Sequence, residues 1–179
     1  MAACEDCFRE FLHPLVHQLM DKNKQFKDRY GTHARWDWDD VDVTLTFTDP
    51  ISPALRIDVT VVGSTEGDSW EWSWANSNYA ARSKRDMDSV REFGEANGYE
   101  RLTSAFLEAD DYTGWEMTAV AAHVLDALGA YRFPTDNGYC YLIYRKIEES
   151  KTEKNIDLSG EVCGTVALIP SADLTENTG

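Results

Sequence analysis

Three consecutive segments in the first half of the chain alternate apolar and polar residues, and this constrains the fold more than any other feature. Apolar side chains recur at every second position in 41–47, 55–61 and 70–74. Strict alternation is typical of a β-strand with one buried and one exposed face. Turn residues separate the segments at 49–53 and 63–68. Connections this short favour neighbouring antiparallel strands.

Helical periodicity flanks these strands. Cys4–Tyr30 is amphipathic, and Pro14 within it predicts a kink or a helix start. Ser83–Ala96 has the pattern of a charged surface helix that Asn97-Gly98 ends, and Leu102–Ala109 that of a short helix. The first half therefore predicts a sheet, and its neighbours in sequence supply helices to cover it.

The remaining pattern completes an α+β prediction. The capping-box sequence Thr113–Glu116 opens the most apolar helix, which we expect to end at Gly129. Tyr139–Ile147 is apolar on both faces, as in an interior strand. The sequence thus predicts an antiparallel sheet of about four to five strands, packed against an N-terminal helix and two to three central helices.

Composition indicates one domain of the cytosolic type. The 179 residues are 42% hydrophobic, enough to bury a core, and four cysteines are too few for a disulfide scaffold. Neither a signal-peptide pattern nor an apolar run of membrane-spanning length is visible. We expect a cytoplasmic domain over 1–147, with 148–179 as an acidic extension in which 162–169 is a candidate strand before a loose end.

The net charge of −15 restricts the partners. Lys and Arg supply most affinity for phosphates, so neither nucleic acid nor an anionic membrane is expected to bind. A basic protein partner is favoured by charge complementarity, although acidity that serves only solubility is an open alternative.

Acidic residues cluster at the predicted loops. Carboxylates that would together form one acidic rim suited to a basic partner are Asp37, Asp39, Asp40, Asp42, Glu66, Asp68, Asp110 and Asp111. The first four lack the glycine and the distal glutamate of a calcium loop, so they indicate a solvated strand entrance and no metal site.

Three tryptophans on one face of a strand have two interpretations. Trp70, Trp72 and Trp74 form either a core stripe covered by helices, which their large apolar area favours, or an aromatic platform for a ligand. Asn76, just after the strand, is either a turn or cap residue or a polar group of that platform.

The order of several motifs resembles a known pattern. Trp36-Asp37-Trp38, Trp72-Ser73-Trp74-Ala75-Asn76, Val90–Gly94 and Gly129–Arg132 occur in sequence. Together they resemble an uncharacterised family of bacterial proteins with a W-x-W-A-N signature, over about Phe8 to Ile147. The resemblance implies a bacterial cytoplasmic α+β domain and no activity.

Two groups of residues offer catalytic or metal chemistry, and neither spacing is specific. Cys4 and Cys7 precede His13 and His17, but on one helix the histidines lie opposite Cys4, so no metal is expected. A second group is Glu116, His123 and Asp126, on one side of a helix. No nucleophile elbow or phosphate loop accompanies these residues, and no cofactor is expected.

The sequence favours a small acidic binding protein over an enzyme. The most concrete form of this hypothesis is an immunity protein or antitoxin that occludes a basic toxin, which is an inference by association. The alternative is a small-ligand protein or enzyme with a pocket between sheet and helices, using His123 with Glu116 and a tryptophan platform.

Overall fold

A computed structural model describes residues 5–30, 35–39, 44–48, 56–79 and 81–146, with side chains described from Ile57 onward and in 5–30. In chain order the elements are α1 Glu5–Tyr30, β1 Arg35–Asp39, β2 Thr44–Thr48, β3 Arg56–Glu66, β4 Ser69–Trp72, α2 Ala81–Asn97, α3 Glu100–Thr103, β5 Phe106–Glu108, α4 Thr113–Val124, β6 Gly129–Thr135 and β7 Gly138–Lys146. The predicted α+β class is confirmed.

The sheet is built around β3. Strand β7 pairs with β3 from Ile57 to Glu66, while β2 pairs with its first two residues and β4 with its last four. Because a strand has only two edges, β2 and β4 share the edge opposite β7. Strands β1 to β5 follow one another in the sheet, and the β6–β7 hairpin joins them through β3, with antiparallel pairing throughout the described ladders.

Alternation along β3 divides the buried side chains into two clusters. Ile57, Val59 and Val61 belong to the smaller cluster, as the predicted period of two requires. A bulge between Val61 and Gly63 then changes the phase, because Val61 pairs with Leu142 but Gly63 pairs with the next residue, Tyr141. From the bulge onward the odd-numbered residues of β3 therefore lie on the side of the larger cluster.

The larger cluster lies between the sheet and the helices. It contains Trp70 and Trp72, each 0% exposed, with Tyr141 beside them. Helix α1 contributes four apolar side chains at helical spacing, Phe8, Leu12, Leu15 and Leu19, and α2 and α4 contribute others. The tryptophans are thus core residues of the face that the helices cover.

Helix α1 confirms the amphipathic prediction. It already includes Glu5, so the alternative of a helix start at Pro14 is wrong. Pro14 lies on the exposed side of α1, where its missing N–H leaves no buried carbonyl without a donor. Cys4 lies outside the described residues.

Two predicted helices differ from the structure. Leu102–Ala109 is only partly helical, since α3 ends at Thr103 and Phe106–Glu108 is the strand β5, paired with β4. Helix α4 ends at Val124 and not at Gly129, because Asp126 adopts a left-handed φ of 49°. Gly129 instead begins β6, a strand whose residues lack the alternation that identifies strands in sequence.

The described residues belong to one compact unit, Met1–Glu148. The predicted extension 148–179 and its candidate strand lie outside the described residues. No helix in the described part of the chain combines the length and apolarity needed to cross a bilayer.

Gly114 is predicted to be required for the position of Tyr141. A Cβ built at Gly114 would overlap the Tyr141 ring. We expect Gly114→Ala to lower the free energy of unfolding by about 1–3 kcal/mol through overpacking, measured by urea denaturation.

The control is the same change in a Tyr141→Leu background. Without the ring, Gly114→Ala should become neutral or stabilising, because alanine is the better helix former by about 1 kcal/mol. An equal loss of stability in both backgrounds would contradict the assignment of the clash to Tyr141.

Candidate functional site

Three connections meet at one end of the sheet and enclose a cavity of about 290 Å³. They are the β3–β4 turn, the β6–β7 turn and the β5–α4 loop. We call the cavity the turn cleft, and the side chains that define it are Asp68, Asp110, Asp111, Arg132, Tyr139 and Tyr141.

Main-chain hydrogen bonds hold the three connections together. The Gly67 N–H donates to the Asn137 carbonyl at 2.9 Å, and the Ala109 N–H donates to the Asp68 carbonyl at 2.7 Å. The Tyr139 N–H donates to Thr65 Oγ1 at 3.0 Å. Each connection is thereby tied to another, so the walls of the cleft are set by the backbone.

The structure brings together three of the predicted acidic residues. Asp68 comes from the β3–β4 turn and Asp110 and Asp111 from the β5–α4 loop, and all three line the same cleft. Glu66 is exposed at the end of β3, two residues before Asp68, and does not line it. Among the described residues, Asp68 and Asp111 have no salt-bridge partner within 4.0 Å.

Asp110 has a structural role at the start of α4. Its Oδ1 accepts hydrogen bonds from the N–H groups of Tyr112 and Thr113, each at 2.9 Å, and from Thr113 Oγ1 at 2.8 Å. The Thr113 side chain and these backbone donors lower the pKa of Asp110 below its ordinary value of 3.8. The predicted capping box is wrong in detail, because Thr113 is already the first residue of α4 and the N-cap residue, Tyr112, makes no side-chain cap hydrogen bond.

Arg132 lines the same cleft as these carboxylates and was not predicted from sequence. Its guanidinium carbon lies 4.1 Å from the centroid of the Tyr139 ring and 5.6 Å from that of Trp115. One N–H donates to the Tyr141 hydroxyl at 3.5 Å. Gly129–Arg132 was one of the motifs behind the resemblance, but no role followed from it because β6 was not recognised as a strand.

The other predicted acidic residues are described only in part. Asp37 and Asp39 lie in β1, opposite Thr46 and Thr44 of β2, and their side chains are outside the described ones. Asp40 and Asp42 lie outside the described residues altogether. Their place in a single acidic rim stays a prediction.

The residues of the tryptophan signature lie in the core and in the turn that follows β4. Trp70 and Trp72 are inaccessible from solvent, and Trp72 Nε1 donates to the Arg101 carbonyl at 3.2 Å. Trp74 lies beyond the end of β4 and is half-buried. Asn76 Nδ2 donates to Glu71 at 2.7 Å and its Oδ1 accepts from the Asn78 N–H at 2.8 Å, so its contacts are those of a turn residue.

The candidate proton-transfer residues lie in separate grooves. His123 is exposed and lines a groove with Lys22 and Asp126, whereas Glu116 lines another groove with His13 and His17. Glu116 also accepts a hydrogen bond from Arg101 at 3.2 Å. The structure therefore does not bring His123 and Glu116 into one cavity.

Other side chains with nucleophilic or metal-binding chemistry are those of His13, His17 and Cys140. The His13 and His17 rings are 4.8 Å apart, but no three His, Cys, Asp or Glu side chains of the described residues form a group able to hold a metal ion. Burial raises the pKa of Cys140 to about 11 and that of its neighbour Tyr79 to about 12. Cys140 is thus a protonated core thiol at neutral pH.

The profile of a family of unknown function, DUF6882, matches residues 9–146. The chain belongs to this family. The DUF6882 match includes the whole described sheet and every residue that defines the turn cleft, and it implies no activity. No curated protein and no solved structure matches the chain.

Removing the Asp110 carboxylate is expected to destabilise the protein in a pH-dependent manner. Because its folded pKa is depressed, its contribution is present above its unfolded pKa of about 4 and is lost as the pH falls through the folded value. Asp110→Ala should lose about 1 kcal/mol of unfolding free energy at pH 7. In thermal melts the difference from wild type should shrink toward about pH 2.

Asp111→Ala serves as the matched control, since the adjacent carboxylate makes none of these three hydrogen bonds. A difference between wild type and Asp110→Ala that stayed constant from neutral to acid pH would show that the ionised carboxylate is not responsible.

Proposed function

We propose that this protein is a small acidic binding protein that engages a basic region of a protein partner at the turn cleft. The observation that carries the proposal is the convergence of Asp68 and Asp111, from two separate connections, on one cavity where neither has a salt bridge among the described residues. Carboxylates presented in this way attract a cationic surface and fix its register.

The surroundings of the cleft support recognition of a partner. Tyr112, next to Asp111, is 71% exposed, and Tyr139 is 38% exposed in the cleft itself. Exposed tyrosines beside charged groups are typical of protein interfaces, because the ring supplies contact area and the hydroxyl a hydrogen bond. The net charge of −15 would speed encounter with a basic protein.

An immunity protein or antitoxin is the form of this function that we propose. Such a protein would block a basic toxin by occupying its surface, and it would do so in the bacterial cytoplasm. The bacterial origin is proposed from the resemblance to the family with the W-x-W-A-N signature. Acidity, small size and the accessible cleft agree with that role, and the step from these features to toxin neutralisation is by association.

The enzyme alternative gains no support from the site geometry. His123 and Glu116 line different grooves, and Glu116 pairs with Arg101. The predicted platform of Trp70, Trp72 and Trp74 would need rings that a ligand can reach, and those of Trp70 and Trp72 are fully buried.

Charge reversal in the cleft is expected to weaken partner capture. The tagged protein and an Asp68→Lys/Asp111→Lys variant would be used to capture proteins from the native cells at about 50 and 200 mM salt, with quantitative mass spectrometry. A basic partner should be recovered with wild type, decrease with salt, and decrease at least about tenfold with the variant.

Glu10→Lys/Glu92→Lys is the control, because these two exposed carboxylates on α1 and α2 undergo the same total charge change outside the cleft. Equal recovery with the cleft variant and the control, or recovery of the protein alone, would refute the proposal. Lysine substitutions at Asp37, Asp39 and Asp40 would test the rest of the predicted rim in the same assay.

A further inference from the structure

The turn cleft contains a cation as well as carboxylates, and within the described residues Arg132, Asp68 and Asp111 form no salt bridge. Arg132 lines the cavity with Asp68 and Asp111, yet no carboxylate of the described residues lies within 4.0 Å of its side-chain nitrogens. A ligand that carries only positive charge would use the two aspartates and oppose Arg132. The lining therefore fits a ligand with charges of both signs.

Two aromatic rings lie against the Arg132 guanidinium. Tyr139 and Trp115 approach the guanidinium at 4.1 and 5.6 Å from their centroids. Guanidinium N–H donors lie in the plane of the group and match the two oxygens of a carboxylate. The bond to Tyr141 is the one hydrogen bond that Arg132 makes within the described residues. Most of its donors are thus ready for a carboxylate.

Tyr141 provides a second hydrogen-bond donor beside Arg132. Its side chain is 2% exposed, and its hydroxyl lies at the cleft, where it accepts from Arg132. The hydroxyl's own hydrogen has no acceptor among the described residues. The hydroxyl can therefore donate to an acceptor that binds beside Arg132.

The size of the cleft limits the ligand to about one residue. Its volume of about 290 Å³ is at the lower end of the range for ligand sites, roughly 300–1,000 Å³. A helix or strand of a partner is too large to enter. An arginine or lysine at the end of a chain combines a cationic side chain with a carboxylate within one residue.

We propose that the turn cleft binds a C-terminal arginine or lysine of the protein partner. Arg132 and Tyr141 take the terminal carboxylate, and Asp68 and Asp111 take the cationic side chain. This inference rests on the proposed function, because it names the part of the basic partner that the cleft recognises.

Short peptides test the inference without the partner. The full chain would be titrated by calorimetry with Ac-Gly-Gly-Arg bearing a free carboxylate, its C-terminal amide, Ac-Gly-Gly-Glu, and free arginine. The acid form of the arginine peptide should bind at least about tenfold tighter than the amide and the glutamate peptide, since each of these lacks one of the charged contacts, and at least as tightly as free arginine, which keeps both. Equal affinity for acid and amide, or no binding of the acid peptide, would overturn the inference. Tighter binding of free arginine than of the acid peptide would show that the ligand is a free amino acid and not a protein C-terminus, and would also overturn the inference.

Two variants assign the contacts. Arg132→Gln should remove the roughly tenfold preference for the acid over the amide peptide. Asp111→Asn should remove the roughly tenfold preference for the arginine over the glutamate peptide. Arg85→Gln, at an exposed position outside the cleft, should change neither preference. Melting curves establish folding, and Arg132→Lys, which keeps the charge without the planar fork, replaces Arg132→Gln if that variant does not fold.

The outcomes separate this inference from the proposed function. If capture of a basic partner depends on Asp68 and Asp111 but the peptides do not bind, the C-terminal assignment is wrong and the proposed function stands. If the acid peptide binds and no basic partner is captured, the site assignment stands and the proposed function fails.

Discussion

The pairing of β3 on both edges is the constraint on which the rest of the structure depends. Antiparallel β7 runs along one edge, while β2 and β4 divide the other. The bulge between Val61 and Gly63 is essential to this arrangement, because it shifts the side-chain phase halfway along the strand. Before the bulge, odd-numbered residues lie in the smaller cluster, and after it they lie on the helix side.

Gly63 allows the Trp70 ring to pack close to β3 and next to Tyr141 after this change of phase. A Cβ at this position would collide with the Glu71 carbonyl and the Trp70 ring. Its absence allows Trp70 to lie over the strand, 5.5 Å from the Tyr141 ring, which in turn meets Trp115 at the same distance. The core and the floor of the turn cleft are therefore one continuous aromatic packing.

Sequence reasoning succeeded where periodicity is strong and failed where pairing with distant residues decides the structure. The alternation at Ile57, Val59 and Val61 and the apolar stripe of α1 identify their elements directly. Strand β6 is stabilised by pairing with β7, and strand β5 by pairing with β4. Neither strand therefore needs an alternating sequence pattern of its own by which it could be recognised. For the site, Asp68, Asp110 and Asp111 were found by charge, whereas Arg132 was missed because its partners are distant in sequence. The sequence pattern predicts a cap at Thr113, whereas the side chain that binds N–H groups at the start of α4 is that of Asp110, because spacing in sequence does not show which oxygen reaches the helix end.

The backbone ties between the three connections make the scaffold of the cleft independent of its acidic side chains. The bonds from Gly67 to Asn137 and from Ala109 to Asp68 use main-chain atoms only, and the Asp111 side chain forms no hydrogen bond within the described residues. Any residue that tolerates the same backbone can therefore occupy positions 68 and 111 without loss of the scaffold. Substitutions at these two positions are therefore expected to change the charge of the cleft and leave the fold intact.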